Sequence, residues 1–128
     1  MSSRQNLRQY IENPSHSLMI FKEEHVVLVQ DAYSKSVCHY LVLPVEEAVT
    51  YVHPMLALQS AEVRKNIQPG VAAAQKLAAD TFMARDYLED TEHARIAFVR
   101  SFIITGVHSS PSMANLHVHV LTKDMCLP

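Results

Sequence analysis

Asn115-Leu116-His117-Val118-His119-Val120-Leu121-Thr122 is an apolar run with two histidines two residues apart. Side chains alternate across a strand, so this period predicts a β-strand carrying both imidazoles on one face, with Asn115 on that same face. Working outward, the preceding stretch Thr105-Gly106-Val107-His108-Ser109-Ser110-Pro111-Ser112-Met113-Ala114 adds a third histidine and a hydroxyl, His108 and Ser112. Imidazoles titrate near neutrality, so such a cluster can attack, donate protons or hold an anion. The choice is between chemistry on a phosphate and chemistry on a metal.

Three readings compete for the histidines. Buried histidines often only satisfy a backbone carbonyl. An H-x-H pair with a distant third histidine, His108, can also bind zinc. No carboxylate lies near in sequence before Asp124, however, and no cysteine pair supports a metal site. Phosphate chemistry fits better. A histidine nucleophile needs a donor to the non-bridging oxygens and an acid for the leaving group. Ser112 suits the first need, and His119 or His108 the second, while the neutral Asn115 can orient the nucleophile or the phosphate.

The rest of the chain supplies a frame for that strand. At 128 residues, 48% apolar and 19% charged, it has the composition of one folded domain, 1–128, with its own core. Eleven Lys and Arg against thirteen Asp and Glu give a formal charge of −2, which does not mark it as a nucleic-acid binder. Cys38 and Cys126 have neither zinc nor redox spacing and read as reduced thiols, and no apolar run reaches membrane-spanning length. A cytosolic or nuclear location follows.

Leu7, Tyr10 and Ile11 predict a short amphipathic helix over 2–12, closed by Pro14. Strands are expected at Ser17–Phe21, Val26–Gln30 and Val37–Leu43, forming an antiparallel meander, followed by a loop or helical turn over 44–54. Helix is expected from Ser60 to about Asp90, broken at Pro69-Gly70, with the longer piece running from Val71 to about Tyr87. Its inward stripe is Val71, Ala74, Leu77, Ala78 and Phe82. Ala97–Val107 and Asn115–Thr122 complete a sheet of about five strands. The fold class is α+β, with the long helix packed on one sheet face.

The string Asn115-Leu116-His117-Val118-His119-Val120-Leu121 resembles the signature of the histidine triad (HIT) superfamily, in which histidines alternate with apolar residues; Asn115 stands at the first histidine position. With Gly106-Val107-His108-Ser109-Ser110-Pro111-Ser112-Met113 before it, the string resembles the aprataxin branch, and its fungal members in particular. A second block agrees. Val29-Gln30-Asp31-Ala32-Tyr33-Ser34-Lys35 through His39-Tyr40-Leu41-Val42-Leu43-Pro44 is similar to the branch's V-x-D-x-[FY]-P-K-x-x-x-H-x-L-x-L-P stretch, with Ser34 in place of its proline. The resemblance runs from Arg4 to Asp124.

The resemblance implies a HIT-like fold and a DNA 5′-adenylate hydrolase that removes AMP from abortive ligation intermediates. It implies His117 as the nucleophile that takes AMP, His119 polarising the phosphate, Ser112 donating to its oxygens and His108 assisting the leaving 5′-phosphate. Asp31 matches the ribose-binding carboxylate, with Gln30, Ala32, Met113 and Asn115 around the nucleotide. Lys35 and His39 match positions near the DNA phosphate or the nucleotide pocket. No metal or other cofactor is required. The implied partners are adenylated DNA ends, with AMP as product, no membrane, a monomer rather than a homodimer, and a nuclear setting.

Three departures point to a reduced grip on DNA. Ser3 falls where the branch has a stacking aromatic. The branch's basic segment and zinc finger do not follow before Pro128, so the chain is expected to be truncated there. The net charge is slightly acidic where phosphate contacts usually add affinity. Two alternatives therefore stand beside the leading expectation: a hydrolase of small AMP conjugates such as a phosphoramidate, or a catalytically weak module that binds nucleotide or DNA ends.

Overall fold

A computed structural model describes residues 18–31, 36–46, 54–107 and 117–124. The expected N-terminal helix over 2–12 lies outside them. Five strands form one antiparallel sheet: β1 (Met19–Lys22), β2 (Val26–Gln30), β3 (His39–Pro44), β4 (Ile103–Gly106) and β5 (Val118–Thr122). Their order in space is β1-β2-β3-β5-β4, so β5 sits between β3 and β4, near the middle of the sheet. Among the described residues the helices are α1 (Pro54–Ala57), α2 (Ala61–Ala84) and α3 (Glu92–Phe102). This is the expected α+β architecture, with α2 lying on one sheet face.

The pleat sorts the sheet into two apolar faces. Val26, Leu28, Val42, Val118 and Val120 pack under α2 with Ile67, Val71, Ala74 and Ala78. Val27, Val29, Leu41 and Leu43 project from the opposite face and form a second cluster with Leu18, Met19 and Val45. Both faces of β2 and β3 are thus apolar, which is why these strands read as continuous hydrophobic runs rather than alternations.

Two expectations about helices are corrected. Pro69-Gly70 does not break the segment: α2 is continuous for 24 residues through Pro69. Packing overrides the lost amide donor, and Gly70 shows how. A Cβ at Gly70 would stand 2.7 Å from a Val42 methyl and 2.8 Å from a Val26 methyl, so the missing side chain lets the helix axis settle onto the strands. The helix is capped by Ser60, whose hydroxyl accepts from the Val63 amide, and ends at Ala84 rather than near Tyr87. Its C-terminus is closed by Asp86 at φ 61, with the Asp86 amide on the Met83 carbonyl and the Tyr87 amide on the Phe82 carbonyl.

The expected strand Ala97–Val107 is mostly helix. α3 runs from Glu92 to Phe102, capped by the Thr91 hydroxyl, and only Ile103–Gly106 is strand. Phe98 and Phe102, one turn apart, pack with Phe82 at ring-centroid distances of 5.0 and 5.5 Å. That aromatic cluster, together with the Arg95–Asp80 ion pair at 2.6 Å, ties α3 to α2. Strand limits also shift: β3 covers His39–Pro44 rather than Val37–Leu43, and β1 covers Met19–Lys22. β5 begins at Val118, with Asn115 and Leu116 outside the described residues.

Among the described residues, no helix is long and apolar enough to cross a membrane. Cys38 is a free, buried thiol whose proton is held more tightly because burial disfavours the thiolate. It serves packing rather than nucleophilic chemistry. Its neighbour Tyr40 is pushed up to about 12, chiefly by burial.

Candidate active site

The site grows from the register between β3 and β5. Leu41 pairs with His119 and His39 with Leu121, so His39, Leu41, His119 and Leu121 all project from one face. His117, two residues before His119, shares that side. This is the face away from α2, because the intervening Val118 and Val120 belong to the core beneath that helix. The alternation predicted for the two histidines is present: their rings meet nearly edge to face, with centroids 4.9 Å apart.

His39 and Asp31 complete the described cluster. Asp31 follows the last residue of β2, and its amide donates to the His39 carbonyl at 3.0 Å, extending the β2–β3 ladder by one bond. This brings the Asp31 carboxylate to His39, with Oδ2 3.2 Å from Nε2. The same nitrogen lies 2.9 Å from His119 Nδ1. His39 is 2% exposed and His117 4%, whereas His119 is half-buried. The chain of contacts therefore leads from Asp31 through a dry imidazole to His119.

With Asp31 ionised and both imidazoles neutral, the contacts favour one pair of tautomers. An ionised carboxylate only accepts, so the His39 Nε2 that faces it carries the proton. His119 Nδ1 then accepts from that shared N–H, and the proton of a neutral His119 resides on Nε2. In that tautomer the far nitrogen of His119 is a donor, the form in which an imidazole can bind or protonate a phosphate oxygen.

The structure treats the expected site residues unevenly. Asp31, His39, His117 and His119 come together. His39 was expected near a DNA phosphate or the nucleotide pocket; its burial leaves almost no surface for a phosphate, and its partners are Asp31 and His119. Gln30 does not reach the histidines. It pairs with Tyr40, so the pleat turns its exposed side chain to the face that carries α2. Ala32, Lys35, His108, Ser112, Met113 and Asn115 lie outside the described residues.

One arrangement escaped the sequence reading. No carboxylate lies near the histidines in sequence, yet Asp31 is delivered to them in space, and Asp31, His39 and His119 offer donor atoms all within 4.8 Å of one another. The signal was the eight-residue step from Asp31 to His39 across one strand connection, which only the β2–β3 register turns into a contact.

Comparison with known proteins accords with this geometry. The family profile described as "Scavenger mRNA decapping enzyme C-term binding" matches residues 5–127. An aprataxin-like protein of Schizosaccharomyces pombe is 33% identical over 130 residues, covering 99% of this chain and 54% of the relative. One of Saccharomyces cerevisiae is 28% identical, covering 97% of this chain and 63% of the relative. The chain thus spans little more than half the length of these two relatives.

Among solved structures, "Hnt3 in complex with DNA and guanosine" superposes with a TM-score of 0.71 at 34% identity, over 94% of this chain and 62% of that one. The crystal structure of the aprataxin ortholog Hnt3 from Schizosaccharomyces pombe gives a TM-score of 0.69 at 35% identity, over 95% and 59%. A HIT family protein from Bacillus anthracis, at 14% identity and a TM-score of 0.62, shares the fold. Residues 5–127 match one family profile, and His119 of β5 stands against His39 of β3: the chain belongs to the "Scavenger mRNA decapping enzyme C-term binding" family and is an aprataxin-like member of the histidine triad superfamily.

Proposed function

We propose that this chain is a nucleotide hydrolase that removes AMP from 5′-adenylated DNA ends, as in single-strand break repair. The observation that carries the reading is the placement of His117 beside His119, with His119 backed by His39 and Asp31 on the same sheet face. The similarity to DNA-bound Hnt3 supports DNA as the substrate class.

In this reading a ring nitrogen of His117 attacks the phosphorus of the AMP moiety, and the bond from phosphorus to the oxygen of the DNA 5′-phosphate breaks. His108 gives the departing phosphate its proton. His119 donates to a non-bridging oxygen, and Ser112 to another, so the charge that develops meets fixed donors. Water then attacks the adenylyl-histidine, releasing AMP and restoring His117. Asp31 holds the ribose hydroxyls, while Ala32, Met113 and Asn115 line the nucleotide and Lys35 meets the DNA phosphate. The imidazoles supply the positive charge, so no metal or other cofactor takes part. The enzyme works as a monomer in the nucleus, with residues 1–128 supplying its histidine triad domain.

The test is parallel incubation with a 5′-adenylated nicked duplex and with adenosine phosphoramidate, without added metal. AMP release from the nicked duplex is expected. Turnover of the phosphoramidate alone would move the substrate to small AMP conjugates, and turnover of neither would leave a binding module. His117→Ala is expected to abolish AMP release while the protein stays folded.

A further inference from the structure

We propose that Asp31, His39 and His119 form a binding site for a zinc-class divalent cation, and that the loaded site is an off state of the hydrolase. The second half rests on the function proposed above; the first does not.

Donor spacing points to the ion. Around a zinc ion bonded at about 2.0 Å, tetrahedral donors stand about 3.3 Å apart. His39 Nε2 lies 3.2 Å from Asp31 Oδ2 and 2.9 Å from His119 Nδ1. Two edges of the donor triangle are therefore already close to ligand spacing. The third closes from within 4.8 Å. The hydrogen-bonded arrangement and the metal-bound one thus differ by small side-chain movements, with loss of the shared His39 proton on binding.

The donor chemistry selects the ion. Two imidazole nitrogens and one carboxylate oxygen suit zinc and its neighbours, whereas magnesium and calcium take oxygen donors. The His39 side chain is 1% exposed and that of Asp31 14%, so an ion held by them would be largely shielded from water. Loading has a direct consequence. It occupies the Asp31 carboxylate expected to hold ribose, and it takes His119 Nδ1 out of its bond with His39.

Zinc chloride titrated into the metal-free protein by calorimetry is expected to bind at one ion per chain. Asp31→Asn and His39→Gln should each weaken binding at least roughly tenfold, since even outer-shell partners of zinc ligands cost that much when lost. His117→Gln and Glu46→Gln should leave it unchanged, and magnesium chloride should give no binding. Thermal melts verify that each variant is folded; should the buried His39→Gln fail, Asp31→Asn at the rim carries the comparison. Absent binding, or binding lost in His117→Gln but retained in Asp31→Asn, overturns the site. In parallel, AMP release from the nicked duplex should fall over the same zinc range and return on chelation. Unchanged release with zinc bound overturns the off state. Zinc binding through these residues in a protein that never releases AMP leaves the site standing and removes the hydrolase reading.

Discussion

His39 Nε2 stands 2.9 Å from His119 Nδ1 while also facing Asp31 Oδ2 at 3.2 Å, so one buried imidazole joins a carboxylate to a half-buried histidine. Burial makes this contact matter, because a polar link in a dry site is stronger than in water and costly to leave unmade. With Nδ1 engaged by His39, Nε2 is the ring nitrogen of His119 left for the proposed chemistry. In the proposed reaction His39 touches no reacting atom and acts by positioning.

His39→Ala is therefore expected to lower kcat for AMP release roughly 10- to 100-fold, below the full value of a general acid. KM should change less, since the nucleotide contacts survive. His39→Gln, which keeps an amide donor toward Asp31 and His119, should recover part of the loss. Steady-state kinetics on the adenylated nick decides it, and wild-type kcat in the alanine variant would remove the positioning role.

Gly70 marks where α2 meets the sheet most closely. The Cβ of Gly70→Ala would lie 2.7 Å from Val42 Cγ1 and 2.8 Å from Val26 Cγ2, both within the core. Helix propensity favours alanine by about 1 kcal/mol, whereas overpacking costs about 1–3 kcal/mol. The second effect is expected to win, and Tm should fall. Val26→Ala makes room on one side, so the double variant should be more stable than the sum of the two single losses. Denaturant melts of all four proteins measure that coupling, and strict additivity would place the strain elsewhere.

The sheet and half of the site were legible because both follow period two. His117 and His119 alternate with Val118 and Val120, which is enough to put the two imidazoles on one face. The α3 helix was misread for a related reason: Ala97–Val107 is apolar enough for a strand, and the helical signal lay in Thr91 as a cap and in the four-residue step from Phe98 to Phe102. Pro69 was given its local meaning as a breaker, while contacts from Gly70 to Val26 and Val42, remote in sequence, hold the helix whole. The Asp31–His39–His119 contact was invisible for the same cause, since it exists only once β2, β3 and β5 are in register.

Asp86 adopts φ 61 where α2 ends, a conformation that costs an L-residue and suits glycine. Its own amide and that of Tyr87 satisfy the Met83 and Phe82 carbonyls, and the Tyr87 ring packs 6.2 Å from Phe82, so the surroundings hold the turn in place. Asp86→Gly is expected to stabilise the fold by about 0.5 kcal/mol, the relief of strain exceeding glycine's greater unfolded-state entropy. A rise in Tm with unchanged denaturant m-value is the expected signature. A fall would mean that the aspartate carboxylate contributes more than its backbone costs.

His25 offers a pH-dependent contact far in the fold from the histidine cluster. Its Nδ1 bonds the Glu46 carboxylate across the start of β2 and the end of β3, and this bond, set against a smaller desolvation effect, raises its pKa above the ordinary 6.5. A raised value means that the folded protein holds the proton more tightly than the unfolded chain does. The stabilisation is accordingly complete below the unfolded value and fades as pH rises through the folded one. Both side chains are partly exposed, so the effect is modest and screened by salt. In Glu46→Gln the His25 ring protons should titrate at lower pH by NMR, toward 6.5. The Tm gap between wild type and variant should be widest on the acid side of that value and shrink toward alkaline pH. A gap that stays constant across neutrality would assign the contribution of Glu46 to something other than the charge on His25.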